Sequence, residues 1–138
     1  MFRTLIACSL SLAAAGAFAA TGLTPSVSPD NMYAHGGSGT SSTIVFTNNG
    51  PGFASNITTT FTYVSGSRTN GARLYKETDT CNGATLAVGG TCKVTIGFDD
   101  ACPAARGTAL QYSLGLTAAS GQAVSVPVWG NSQGGTCY

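Results

Sequence analysis

Apolar and polar residues alternate with a period of two in stretch after stretch of this chain. After residue 20 they never recur at helical spacing over a useful length. The clearest stretch puts Cys92, Val94, Ile96 and Phe98 on one parity and Lys93, Thr95 and Gly97 on the other. Residues 56–63 set Ile57, Thr59, Phe61 and Tyr63 against threonines. Leu110, Tyr112, Leu114 and Leu116 make a third apolar face, and Val124, Val126 and Val128 a fourth. Weaker strands are expected at 42–47, at 72–78 and at 23–27, the last interrupted by Pro25 and therefore an edge. Pro127 lies on the outward parity, which marks 122–129 as a second edge. Turn-forming clusters such as Asn48-Asn49-Gly50-Pro51-Gly52 separate the strands. Seven strands with one apolar face each predict an all-β, seven-stranded antiparallel sandwich, with Phe46, Phe61, Phe98 and Tyr112 in its core.

The first residues follow a different rule. Arg3 is a positive n-region, Leu5 to Ala15 an apolar h-region, and Ala17-Phe18-Ala19 a small-x-small cleavage site. Residues 1–19 therefore read as a cleaved signal peptide, and residues 20–138 as one sandwich domain. The apolar run is too short to span a bilayer. Leu5-Ile6-Ala7-Cys8 has the look of a lipobox, but only seven residues precede Cys8, too few for a separate h-region. The expected destination is the cell surface or extracellular space, or the periplasm.

Cleavage removes Arg3 and Cys8. Five basic residues (Arg68, Arg73, Lys76, Lys93, Arg106) then face five acidic ones (Asp30, Glu77, Asp79, Asp99, Asp100), so the mature chain is formally neutral. Such a balance cannot neutralise a run of phosphates or hold an anionic membrane, which argues against nucleic acid as a partner and against membrane insertion. Four cysteines remain, Cys81, Cys92, Cys102 and Cys137. An even count in an exported domain predicts two disulfides, with three pairings open. Strand topology selects among them. Cys81 and Cys92 flank one end of the sandwich, while Cys102 and Cys137 fall at the other. Only Cys81–Cys92 with Cys102–Cys137 avoids a bond along the length of the domain.

The segments Ser42-Thr43-Ile44-Val45-Phe46-Thr47-Asn48-Asn49-Gly50 and Cys81-Asn82-Gly83 through Leu86, Gly89 and Cys92-Lys93-Val94-Thr95-Ile96-Gly97-Phe98 carry a further signal. Their order resembles the bacterial secreted Ig-like domains of the hydin-like (ASH) and choice-of-anchor type, with a "tNtG" turn followed by a cysteine-bracketed hairpin. The resemblance covers nearly all of residues 25–130. It implies an Ig-like fold and an extracytoplasmic setting, and no single function. The family often has a proline soon after the phenylalanine. Here Asp99-Asp100-Ala101-Cys102-Pro103 delays it and adds a cysteine, so Cys102 and Cys137 stand outside the shared pattern.

Sites of chemistry are scarce. Zinc needs close ligand pairs such as C-x2-C, and the four cysteines are far more widely spaced. A thioredoxin-like C-x-x-C is absent. His35 is the lone histidine, and neither Ser38 nor Ser67 sits in a G-x-S-x-G frame. Asp99-Asp100 offers oxygen ligands for calcium, but adjacent carboxylates at a strand end read first as turn formers. Asn56-Ile57-Thr58 is a formal sequon in a threonine-rich strand. No cofactor is expected, and the chain is read as a non-enzyme. The leading expectation is an exported structural protein, a self-assembling surface or filament subunit, pairing with its own copies through edges at Leu23–Val27 and Gln122–Trp129, with Trp129 as an anchor. The alternative is a monomeric module that grips a glycan or another surface protein through its end loops, using Arg68, Arg73 and Tyr75.

Overall fold

The computed structural model describes residues 22–26, 32–34, 39–66, 72–99 and 109–132. They form eight strands: β1 (Leu23–Pro25), β2 (Met32–Ala34), β3 (Thr40–Asn48), β4 (Thr58–Gly66), β5 (Arg73–Asp79), β6 (Thr91–Asp99), β7 (Ala109–Thr117) and β8 (Ala123–Ser132). Two four-stranded sheets result, ordered β1-β3-β6-β5 and β2-β8-β7-β4. The seven strands read from the alternation are all present, and those seven pair antiparallel. β2 is an addition. It lies parallel on the end of β8, Met32 opposite Gly130 and Ala34 opposite Ser132. Three residues are too few for a period of two to register in a sequence, so this strand escapes pattern reading.

The inward parity is as expected. Ile44, Phe46, Val94, Ile96 and Phe98 from one sheet meet Leu110, Leu114, Leu116, Val126 and Val128 from the other, all buried. Phe61 and Tyr112 sit at the margin, packed against the core and stacked on each other with ring centroids 4.8 Å apart. Gly130 shows how closely the layers approach. A Cβ there would stand 2.7 Å from the Phe98 ring, so only glycine admits that ring between the sheets.

Two positional expectations change. β8 is no outer strand, because it runs between β2 and β7. Proline at 127 is tolerated there opposite Ser113 of β7. β1 is an edge, but it completes its own sheet against β3, and Leu23 is buried rather than presented to a neighbour.

Candidate functional site

The cysteine-bracketed hairpin is a brace. Cys81 follows β5, Cys92 lies at the second position of β6, and the two are joined by a disulfide, both sulfur-bearing residues buried. Cys102 and Cys137 lie outside the described residues, so one bridge of the two expected is seen. A disulfide fits an oxidising compartment. Among the described residues, no helix is long and apolar enough to cross a membrane.

Asn48 pins the loop inside that hairpin. It ends β3 fully buried, and its Nδ2 donates to the carbonyls of Gly52 (2.8 Å) and Leu86 (3.0 Å). Its Oδ1 accepts from Gly50 N–H, and its backbone bonds Gly89 and Gly90. The sequence signal read as a turn is therefore also an internal hub tying two loops together. Ala54 and Leu86 exchange backbone bonds beside it.

Asp79 joins the two sheets. Its Oδ1 accepts the N–H groups of Cys81 and Asn82, and its Oδ2 accepts from Lys76 Nζ (2.7 Å) and from Thr59 of β4. Burial pushes this carboxyl up, but the bonds from Lys76, Thr59, Asn82 and Cys81 outweigh it and hold the group below its ordinary value.

The basic–aromatic residues expected to bind a partner are placed as follows. Arg73 opens β5 and forms an ion pair with Asp99 of β6 at 2.8 Å while lying over the Tyr75 ring, 5.1 Å from its centroid. Tyr75 Oη donates to the same carboxylate, and its ring covers Gly97, where a Cβ would sit 2.5 Å from it. Partial burial, then the Asp99 charge, raise the Tyr75 phenol above its usual pKa. Arg68 and Val27 lie outside the described residues. Trp129 is half-buried on the outer face of β8, opposite Gln111.

A surface that no sequence pattern marks is the outer side of β4. This strand, Thr-Thr-Thr-Phe-Thr-Tyr-Val-Ser-Gly, is the outermost of its sheet among the described residues, nine residues long and without a charge. Val64 is 51% exposed and Tyr63 37%. The other edges carry the usual protection: β1 and β2 have three residues each, with Pro25 in β1, and β5 bears Arg73, Lys76, Glu77 and Asp79 and a bulge between Lys76 and Thr78. β4 has a bulge near its end, between Tyr63 and Ser65, and at its start Thr59 alone is tied down, by Asn82, Asp79 and Lys76. Its outer face continues across β7 and β8 as a shallow groove of about 570 Å³ floored by Thr60, Thr62, Ser113 and Ser125.

No family model matches the chain, and no curated protein matches it. Solved structures do. The secreted serine protease VesC of Vibrio cholerae is 20% identical over 82% of this chain, with a TM-score of 0.58. A family 123 glycoside hydrolase from Clostridium perfringens is 12% identical over 77%, with a TM-score of 0.54. An ASH/PapD-like domain of human CEP192 is 13% identical, 96% of each chain being covered, at a TM-score of 0.47. The chain spans 23% of the length of each of the first two. The property shared with the first two is the fold, an all-β sandwich of two sheets. This corrects the reading of the chain as a non-enzyme: the same sandwich is built into a protease and a glycoside hydrolase, so a lack of catalytic motifs in it does not set the chain apart from enzymes.

Proposed function

We propose that this chain is an exported structural domain that assembles with its own copies at the cell surface or in an extracellular filament, by strand addition at β4. The observation that carries the reading is the contrast among edges. A nine-residue, uncharged, β-prone edge stands beside three that are short or charged. Unpaired edges template the addition of another strand. β4 against β4 closes a two-fold dimer, whereas β4 against another edge of the next copy continues into a filament. Trp129, on the same sheet, supplies an aromatic anchor for a neighbour. Export through residues 1–19, the Cys102–Cys137 bridge and membership among bacterial secreted domains belong to the same proposal.

The alternative, a monomeric module holding a glycan or protein through Arg68, Arg73 and Tyr75, has less behind it. Arg73 and Tyr75 are already engaged with Asp99. Sedimentation of the exported protein over a concentration series tests the reading, with negative-stain imaging of the same samples. Growth of oligomers with concentration is expected, and Thr60→Lys with Thr62→Lys should shift that growth to about tenfold higher concentration, since a like charge on each edge opposes pairing. A wild-type chain that stays monomeric at high concentration overturns it.

A further inference from the structure

The two sheets of the sandwich differ in charge. The charged residues among those described, Arg73, Lys76, Glu77, Asp79, Lys93 and Asp99, all belong to β5 or β6. The strands of the β2-β8-β7-β4 sheet contain none. Parity and register lay out the outer face of that sheet. Thr60, Gly115 and Ser125 stand side by side across β4, β7 and β8, and Thr62, Ser113 and Pro127 form the next row. Gln111 and Trp129 belong to the row after that. Thr60, Thr62 and Ser125 are exposed, and Trp129 is half-buried.

Gly115 opens the shallow groove in the middle of this face. A Cβ there would stand 2.6 Å from Thr60 Oγ1, so a larger residue would displace Thr60 and fill the floor. The polar groups around it are positioned. The Ser113 and Ser125 hydroxyls bond each other at 2.7 Å across the floor, and each keeps lone pairs that accept a further proton. Ser65 Oγ donates to Gln111 Oε1, which orients that amide and leaves its NH2 group to donate. Trp129 lies four positions beyond Ser125 on β8, a distance of about 13 Å at the rise of a strand.

We infer that the outer face of β4, β7 and β8 binds a neutral polysaccharide, whose chain runs along the strands from the Gly115 groove to Trp129. The face is complementary to such a ligand in charge and in hydrogen bonding. Neutral sugars carry hydroxyls that donate and accept, as Thr60, Thr62, Ser113, Ser125 and Gln111 do, and C–H faces that pack on a flat indole. An acidic glycan finds no cation on this sheet. A protein partner would meet hydroxyls where the centre of an interface is apolar and aromatic. The distance from groove to indole suits several linked sugars rather than one. This site uses neither Arg73 nor Tyr75, and it needs no second copy of the chain. It competes with assembly through β4 only for Trp129.

Fluorescence of the wild type tests the inference without any variant, because Trp129 is the one tryptophan of the chain. Purified protein is titrated with hydroxyethylcellulose, galactomannan, dextran and soluble starch. At least one of these neutral polymers is expected to shift the Trp129 emission, equally at low and high salt, and polygalacturonate should not. Retardation in gels that contain the responding polymer then compares variants. Trp129→Ala, which removes the stacking surface, and Gly115→Val, which fills the groove, should each weaken binding about tenfold. Val64→Lys, on the β4 edge outside the groove, should bind the polymer like the wild type while opposing edge pairing. No emission shift with any of the four polymers, a shift that vanishes at high salt, or retardation unchanged by both Trp129→Ala and Gly115→Val would overturn the inference. So would a Trp129→Ala protein that loses self-association and keeps its retardation, which assigns the indole to a neighbouring copy.

Discussion

Asn48 is the residue on which most of the described loop structure depends. Polar side chains seldom sit fully buried, and this one is stable there because both its amide groups find partners. Asn48→Ala leaves the Gly52 carbonyl and the Gly50 N–H without that amide, while the Leu86 carbonyl keeps the Ala54 N–H, and a buried unmet group costs on the order of 1–3 kcal/mol. A loss of about 2–4 kcal/mol in urea unfolding is therefore expected, larger than a surface substitution gives. Asp79 acts at the same scale but through pH. Its folded-state pKa lies below the value near 3.8 of an unperturbed aspartate. Its contribution is present in full above that value and is lost as pH falls through the lower folded value. Unfolding curves from pH 7 to pH 2.5 should show the wild type losing stability below about pH 4 more steeply than Asp79→Asn. A parallel fall in both would remove Asp79 from the acid response. The Arg73–Asp99 pair, by contrast, lies at the surface, where water and salt screen it and it adds little to stability.

At the scale of elements, the β5–β6 hairpin is closed by a disulfide that cuts across eleven positions of sequence. Closing a loop of that size restricts the unfolded chain and is worth about 3 kcal/mol in the chain-entropy model. Cys81→Ala with Cys92→Ala should lower stability by about that amount and leave the strand content of the circular dichroism spectrum in place. A protein without measurable loss would mean that the packing of Leu86 and Ala54 alone holds the loop. The strands themselves were legible, because Val94-Thr95-Ile96-Gly97-Phe98 and Leu114-Gly115-Leu116 state their parity directly. Neighbours were not. Parity tells which face a side chain takes and says nothing of which strand lies alongside, so β8 read as an edge and β4 did not. The exposure of Phe53 and Val88 was illegible for another reason. Each sits in an irregular loop, where no periodicity distinguishes an exposed apolar residue from a buried one such as Leu86.

At the scale of the whole molecule, the two sheets differ in when their strands arrive. β1, β3, β5 and β6 all lie before residue 100, as do both cysteines of the brace. The β1-β3-β6-β5 sheet can therefore close while the rest of the chain is still being synthesised. The other sheet draws β2 and β4 from the early chain and β7 and β8 from the late chain. Until Ala109 to Ser132 emerge, β4 has no β7 and β2 no β8, and long-range pairings of this kind form slowly. The strand proposed to receive another copy thus spends that interval with its β7 side exposed as well. A partner that already displays its own edge can be met at that moment, so the order of synthesis and the readiness to assemble are two aspects of one topology.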